Sequence, residues 1–416
     1  MENWGKLSHM FVTVFLSNFA DLMLSPAIPD VTLGAIAGVG SVIMMPLIGN
    51  LSDAYGRKAL LTIPMVLATI PSVILAWKRT PNFFYAYYVI KTLTSMVTEG
   101  GVVCLALAYL ADNVSEGKRV SAFGILSGVV SASFLGGTLA ARLLPTNQIF
   151  QVSAAVSITA MIYMIVFLKD TTRITDALEQ PILKVTESDE DGCKASKKID
   201  FVKNIPSPKD IFRLLRSSIK FSLAAFVAFF NSLAEAGLQS CLLYFLKARF
   251  HFKKDQFADV LLIAYIGATV SNMVFMPTLG PRIGEETLLS LGMFAGFLNM
   301  FLDSIAWAAW VPYASASTGF FLFLSSPNLR SIISKQVGPN EQGLAQGCIL
   351  GITAFANIIS PLIYSPLSAL VLSDDAPFHF QADRLLSEYS DKVSSSILKK
   401  RSQKHGPRGG LNPSSS

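Results

Sequence analysis

Apolar stretches of about bilayer length recur along almost the whole of this chain, and they constrain its fold more than any motif does. A helix needs about 20 apolar residues to cross a bilayer. With 51% hydrophobic and only 15% charged residues among 416, the chain carries more apolar material than a soluble protein of this size can bury. Gly, Ser and Thr lie within the apolar stretches without a strict alternation of polar residues, so helices are favoured over barrel strands. The sequence therefore predicts an all-α polytopic membrane protein.

The apolar stretches predict about eleven spans, each near the length of one crossing. The expected spans are residues 8–28, 33–48, 59–77, 83–110, 122–144, 148–168, 221–246, 257–279, 288–307, 311–333 and 344–372. We interpret the chain as four parts: an N-terminal six-helix bundle (1–168), a charged cytoplasmic linker (169–220), a C-terminal bundle of five spans (221–372) and a polar, disordered tail (373–416).

Basic residues set the expected orientation, because Lys and Arg are retained on the cytoplasmic side of a membrane. With the N-terminus inside, most Lys and Arg residues of the loops fall on the cytoplasmic side, largely those of the linker. We therefore expect an integral multi-pass protein with a cytoplasmic N-terminus, in a membrane that the sequence does not specify. The glycosylation sequon at Asn113 then lies inside and stays unmodified.

Residues 49–58 read Gly-Asn-Leu-Ser-Asp-Ala-Tyr-Gly-Arg-Lys and separate the second apolar run from the third. We expect a hairpin here, in which Gly49 and Gly56 allow a tight reversal and close helix approach. Arg57 and Lys58 would lie on the cytoplasmic side. Two interpretations are open for such a stretch alone, a plain connection between membrane helices or a transporter motif. The rest of the chain favours the motif.

A second copy of this region follows in the other half of the chain. Residues 45–49, Met-Pro-Leu-Ile-Gly, correspond to residues 276–280, Met-Pro-Thr-Leu-Gly. Each copy continues with a charged, glycine-containing turn and a leucine pair, and the second turn carries Arg282 and Gly284 but no equivalent of Asp53. The pattern indicates an internal duplication, an architecture in which two bundles rock around a site at the bilayer midplane.

Residues 49–58 resemble the signature between helices 2 and 3 of the major facilitator superfamily. Further matches follow in the order of that family: Ala111-Asp112, Arg119-Val120 with Phe123-Gly124, residues 167–171 and residues 336–343. The last match, with Ser334-Lys335 before it and Gln346-Gly347 after it, is similar to tetracycline-resistance drug:proton antiporters and to eukaryotic hippocampus-abundant-transcript-like proteins. The resemblance covers about residues 7–380. It implies a major facilitator fold of two pseudo-repeated six-helix bundles.

The resemblance also implies a gate on the cytoplasmic side. Asp53 and Arg57 would hold it in one state by pairing with each other or with neighbouring helix ends. One such end is the positive N-terminus of helix 11 near Gly343, and Asp112 and Arg119 would act similarly at the connection of helices 4 and 5. The expected gating residues are Gly49, Asp53, Gly56, Arg57, Lys58, Asp112, Arg119, Gly280, Arg282, Gly284, Gln342 and Gly343.

Ionisable residues within the apolar spans give a separate indication of function. The deep ones are Asp21, Lys91, Glu99 and Glu235, whereas His9 and Asp303 lie nearer span ends. A charge at mid-bilayer costs roughly 2.5–3.5 kcal/mol, so each needs a partner or a water-filled cavity. The deep residues fall on helices 1, 4 and 7, which line the central cavity in the family. We interpret them as a substrate and proton pathway, with a structural ion pair or helix–helix hydrogen bond as the alternative for any one.

Two of these residues carry more specific expectations. Glu235 has apolar neighbours on both sides, and we expect it to take up and release a proton in transport. Lys91 and Glu99 are about 12 Å apart along one helix, so they pair only indirectly. A partner for Lys91 on another helix is then needed, and Asp21 is the hypothesis.

Departures from the family occur at three places. Ala132-Ser133 stand where drug antiporters usually carry Gly-Pro, which weakens the inference of proton antiport. The short interval between Pro29 and Gly49 predicts a shortened helix 2. Beyond residue 373 the chain turns polar, so helix 12 is expected to be missing.

Together these features predict a secondary active transporter of a small solute that works by alternating access, with protons as the expected coupling ion. We expect no enzymatic activity, cofactor, metal or nucleic-acid partner, and the absence of a P-loop argues against ATP drive. The expected partners are the solute, protons and the lipid bilayer, while the oligomeric state is left open. The competing hypothesis is a truncated, non-transporting isoform that regulates or associates with a full-length transporter. A channel is disfavoured because the deep charges are few and of both signs.

Overall fold

The computed structural model describes residues 4–24, 31–78, 80–168, 213–216 and 218–372. Most of the expected linker, all of the expected tail and the region where we expected no helix 12 lie outside these residues. The α-helices of the described residues are α1 (Trp4–Leu24), α2 (Val31–Tyr55), α3 (Arg57–Trp77), α4 (Pro81–Thr98), α5 (Gly101–Asn113), α6 (Arg119–Leu143), α7 (Thr146–Phe167), α8 (Ile219–Phe250), α9 (Lys254–Val270), α10 (Met276–Ile283), α11 (Glu285–Ser304), α12 (Val311–Leu322), α13 (Ser325–Ser334) and α14 (Gln342–Leu372). A π-helical turn, Ser271–Phe275, joins α9 to α10.

Ten of the described helical segments are long and apolar enough to cross a membrane, which confirms the all-α polytopic prediction. The predicted span 311–333 is not among the ten, because a break at residues 323–324 divides it into α12 and α13. The predicted span 83–110 is also divided. The break lies at Glu99 and Gly100. Gly100 adopts a φ of 84°, which residues other than glycine rarely adopt.

The hairpin predicted for residues 49–58 is wrong over most of its length. α2 continues to Tyr55, and only Gly56 leaves the helical conformation, at φ 95° and ψ 149°, before α3 starts at Arg57. Polarity marks where the apolar run ends, but the helix ends only where a glycine reaches positive φ. α2 therefore has 25 residues, or about 37 Å at 1.5 Å per residue. The predicted shortening of helix 2 is not found.

The repeated turns share one backbone conformation. Gly284 separates α10 from α11 at φ 91° and ψ 151°, nearly the values of Gly56 between α2 and α3. The methionines that start the two repeated segments, Met45 and Met276, are both buried. This local identity of structure is what two copies of one unit would give. We call the face of the bundle that carries both turns the signature face.

Contacts between helices divide into those within each half of the chain and those between the halves. In the first half, α1 packs on α6 and α7, and α3 packs on α4 and α7. In the second half, α11 packs on α12 and α13, and α9 packs on α12. The halves meet where α6 lies against α9, α10 and α13, and where α2 lies against α14. The candidate sites lie at these seams or inside one half.

Candidate functional site

The carboxylate of Asp53 joins the two halves of the chain at the signature face. Its Oδ1 accepts a hydrogen bond from the backbone N–H of Gly343 at 3.0 Å, and its Oδ2 accepts one from Leu344 at 2.9 Å. Both donors belong to the first turn of α14, where N–H groups have no partner within the helix. The carboxylate thus lies at the positive end of the α14 dipole. The expectation that Asp53 faces this helix end is confirmed.

Arg57, at the start of α3, holds Asp53 in place from the same half. Its guanidinium pairs with Asp53, donates to the hydroxyl of Ser52 and donates through Nε to Oδ2 of Asp112 at 2.9 Å. The side chains of Arg57 and Asp112 are each only 3% exposed. The loss of one partner from such a buried group costs about 3–5 kcal/mol, because a charge is left without compensation. We call Asp53, Arg57 and Asp112 the gate cluster.

Glycines allow α2 and α14 to approach closely enough for these contacts. A Cβ placed at Gly49 would collide with the backbone of Gly343, and one at Gly347 would collide with the carbonyl oxygen of Met45. A Cβ at Gly351 would lie 3.0 Å from the carbonyl oxygen of Val42. The sequence pointed to Gly49 and Gly343 but missed the other two glycines, whose four-residue spacing is a known signal of close helix packing.

Arg119 makes a second contact between the halves on the signature face. It starts α6, and its guanidinium donates to the carbonyl of Ser334, the last residue of α13, at 3.3 Å. A cation at the C-terminus of a helix is favourable, so this contact is the electrostatic counterpart of Asp53 on α14. Gln342 closes the turn between α13 and α14, since its amide donates to Ser334 O at 2.9 Å and accepts from the Ser334 hydroxyl at 2.7 Å.

The other expected gating residues lie apart from the gate cluster. Lys58 donates to the carbonyl of Ile165 near the end of α7, and Arg282 is exposed in the last turn of α10. A Cβ at Gly280 would collide with Val120 of α6, so Gly280 serves the seam between α6 and α10. The sequence did not point to Glu285, which pairs with Lys335 at 2.6 Å on the same face.

Among the deep charges, Asp21 of α1 and Lys91 of α4 form an ion pair, with Nζ 2.5 Å from Oδ1. This is the pairing that the sequence hypothesis proposed. The Asp21 side chain is 42% exposed and that of Lys91 is 15% exposed. Glu99 is exposed at the break between α4 and α5, within electrostatic range of the pair. The structure thus brings together three of the four predicted residues.

Glu235, the fourth predicted residue, lies midway along α8 in the other half. It lines a cavity of about 340 Å³ enclosed by α8, α9, α11 and α12. It also borders a second space of about 370 Å³ together with Asn357 and Pro361 of α14. Glu235 thus lies in the second half of the chain, whereas Asp21, Lys91 and Glu99 lie in the first.

The cavity beside Glu235 holds polar residues that the sequence did not assign to the site. Asn299 of α11 donates to the carbonyl of Ser315 at 2.7 Å and to its hydroxyl oxygen at 2.9 Å. Asp303, one turn further along α11, is 8% exposed and hydrogen-bonds with Ser315. The sequence placed Asp303 near a span end, but its depth in this cavity could not be read without the packing of α12.

The model of the Major Facilitator Superfamily matches residues 10–361. Hippocampus abundant transcript-like protein 1 of Bos taurus is 25% identical over 369 residues, covering 87% of this chain and 68% of the relative. The class G tetracycline resistance protein of Vibrio anguillarum is 25% identical over 333 residues, covering 78% of this chain and 77% of the relative. The crystal structure of the human organic anion transporter MFSD10 superposes with a TM-score of 0.70 at 17% identity, covering 89% of this chain and 94% of that one, a likeness of fold.

Proposed function

Since this chain belongs to the major facilitator superfamily, we propose that it is a secondary active transporter that moves a small solute across the membrane by alternating access. The gate cluster is the observation that carries the proposal. Asp53 of this cluster reaches the other half through two hydrogen bonds and a charge–dipole interaction with α14. Such contacts can break and re-form as the halves rock.

The signature face is the closed side of the transporter in this structure. Asp53 and Arg119 each hold a helix end of the opposite half, and glycines bring α2 and α14 to backbone distance beside Asp53. The distribution of basic residues supports a cytoplasmic location of this face. We propose that the structure is the state that is closed to the cytoplasm.

Asp21, Lys91, Glu99 and Glu235 are the proposed path for the solute and for protons. Asp21 and Glu99 are exposed within apolar, membrane-spanning segments. Because a charge in the membrane needs a partner or water, this exposure supports a water-accessible route along the first half. A charged solute that entered this route would compete for the ion pair of Asp21 and Lys91. We propose protons as the coupling ion.

Flux in proteoliposomes tests this function. We expect an imposed pH gradient to drive uptake or efflux of at least one member of a panel of small organic cations, anions and neutral solutes, including tetracycline. Asp53→Asn should abolish that flux while leaving membrane insertion intact, because it removes the carboxylate that α14 and Arg57 share. Glu286→Gln is the matched control, since Glu286 is an exposed carboxylate in the second copy of the repeated region.

Two results would refute the proposal. One is normal flux in the Asp53→Asn protein, which would show that transport does not require the gate cluster. The other is the absence of any protein-dependent flux across the whole panel, which is the outcome that the hypothesis of a non-transporting regulatory isoform predicts.

A further inference from the structure

The cavity enclosed by α8, α9, α11 and α12 has the size and lining of a small-molecule site. Its volume of about 340 Å³ falls within the usual range of about 300–1,000 Å³ for ligand pockets. Apolar and aromatic side chains supply most of the lining, among them Phe257, Tyr265 and Phe323. A few polar groups converge on it from α8, α11 and α12, as in sites that fix a ligand's orientation.

Asp303 is a polar residue of this lining that lacks a hydrogen bond at one carboxylate oxygen among the described residues. The residue is 8% exposed, and its Oδ1 is buried with no hydrogen-bond partner among the described residues. A buried carboxylate oxygen without a donor is unfavourable, so such atoms in native proteins call for an explanation. A donor that enters the cavity would supply the missing hydrogen bond.

The neighbours of Asp303 orient it as an acceptor. Asn299 donates to the hydroxyl oxygen of Ser315 at 2.9 Å, which leaves the Ser315 hydroxyl hydrogen free to be donated. The hydrogen bond between Ser315 and Asp303 then runs toward the carboxylate. Such a directed chain fixes the side chain, while Oδ1 is left for a ligand.

The charge of the lining selects a cation. Both charged residues that line the cavity, Glu235 and Asp303, are acidic, and no Lys or Arg is among the described lining residues. Arg249, in the last turn of α8, does not line the cavity, and it donates to the carbonyl of Ala306 and lies over the Phe250 ring. Aromatic faces such as those of Phe257 and Tyr265 also attract cations.

An organic ammonium fits this cavity better than an inorganic cation. A hard metal ion takes six or more oxygen ligands, and no group of three metal-binding side chains occurs among the described residues. The largely apolar walls would instead cover a hydrocarbon body, while an N–H group donates to Asp303. We propose that this cavity binds a small protonated amine with an apolar group, with Asp303 as the counter-ion and Ser315 and Asn299 as its positioning residues. Binding of the amine does not depend on the proposed transport function. Only the further claim that the bound amine is also transported rests on that function.

Calorimetric titration of the full chain in detergent tests the site with three probes of similar shape. We expect phenethylammonium to bind, and we expect neutral 2-phenylethanol and anionic phenylacetate to bind at least about tenfold more weakly, since they lack a cationic donor. The trimethylated amine should also bind more weakly, because it keeps the charge but has no N–H to donate.

Variants then assign the binding to Asp303. Asp303→Asn should weaken phenethylammonium binding about tenfold or more, and Asp303→Glu should retain the preference for the amine over the alcohol. Ser315→Ala should weaken phenethylammonium binding less than Asp303→Asn does and should keep the preference for the amine over the alcohol. This variant keeps the carboxylate, so it tests whether the carboxylate selects the charged ligand. Asp259→Asn is the matched control, an exposed aspartate of α9 that pairs with Arg142 outside the cavity.

The proposal is overturned if phenethylammonium does not bind the wild-type chain, if the alcohol binds equally well, or if Asp303→Asn binds with unchanged affinity. Should Asp303→Asn fail to fold, the Ser315→Ala protein decides the question by its preference for amine over alcohol. If phenethylammonium binds but no solute of the panel shows flux in proteoliposomes, the transport function is contradicted and the binding site is not. The two proposals can therefore be distinguished by experiment.

Discussion

At the scale of single residues, the carboxylate of Asp53 serves partners from both halves of the chain at once. Arg57 pairs with it from its own half, while Gly343 and Leu344 donate to it from the other. An N-terminal carboxylate contributes about 0.5–2 kcal/mol to a helix, so the α14 contact is strong enough to bias two states and weak enough to break. This balance is what a reversible gate needs.

The Asp21–Lys91 pair leads to a prediction at the same scale. We expect Asp21→Asn and Lys91→Met each to lower transport and thermal stability, because each leaves one charge without its partner. The stability loss should fall below the 3–5 kcal/mol of a fully buried pair, since Asp21 is 42% exposed. The double variant should recover part of the stability loss, as measured by thermal unfolding in detergent. A double variant no more stable than either single variant would show that the two charges do not depend on each other.

The sequence was informative about residues whose partners are set by a motif. Asp53 and Gly343 could be matched because both belong to stretches of recognisable spacing, and the partner of Lys91 followed from the cost of a charge in the membrane. Asp303 could not be assigned, because its burial depends on how α12 covers the end of α11. Glu285 was missed for the same reason, since Lys335 reaches it from α13 through the fold.

At the scale of elements, the contact between α2 and α14 depends on glycines that hold the helices at backbone distance. We expect Gly347→Ala to lower both the thermal stability and the transport rate, because its Cβ would collide with the carbonyl oxygen of Met45. Overpacking of this kind costs about 1–3 kcal/mol. Gly338→Ala is the matched control, since a Cβ there would meet nothing within 4 Å. Equal losses in the two variants, or none in either, would exclude the close contact as a functional feature.

Helix positions were well predicted at this scale, whereas helix breaks were not. Apolar length indicates where a helix must cross, but it says nothing about interruptions inside the span. The break at Glu99 and Gly100 had a signal in the paired glycines at 100 and 101, but the break between α12 and α13 had none as plain. The opposite error occurred at residues 49–55, where α2 continues through Ser52 and Asp53, whose polar side chains bond to Arg57.

At the scale of the whole molecule, the orientation in the membrane is open to direct measurement. With a cytoplasmic N-terminus, the signature face and Asn113 lie inside the cell, so Asn113 should carry no glycan. In a variant that lacks the native cysteines, Gly117→Cys should react with an impermeant thiol reagent only after permeabilisation, whereas Trp307→Cys should react in intact cells. Both positions are exposed, at opposite faces of the bundle. A glycan at Asn113, or the reverse labelling pattern, would invert the topology.

The overall fold was within reach of the sequence because repetition and motif order act over the whole chain. The spacing of Met45 to Gly49 and of Met276 to Gly280 indicated two related units, and Gly56 and Gly284 do adopt the same backbone conformation. The proposed closed state could not be predicted from the sequence, since it rests on contacts such as that of Arg119 with Ser334.

Pulsed electron paramagnetic resonance between spin labels at Ala54 and Thr287 tests the central claim most directly. Both residues are exposed on the signature face, at the end of α2 and the start of α11 in opposite halves. We predict two populations of distance in the otherwise wild-type protein, and a shift toward the longer one in Asp53→Asn. A single short distance that Asp53→Asn leaves unchanged would contradict both alternating access and the role of the gate cluster.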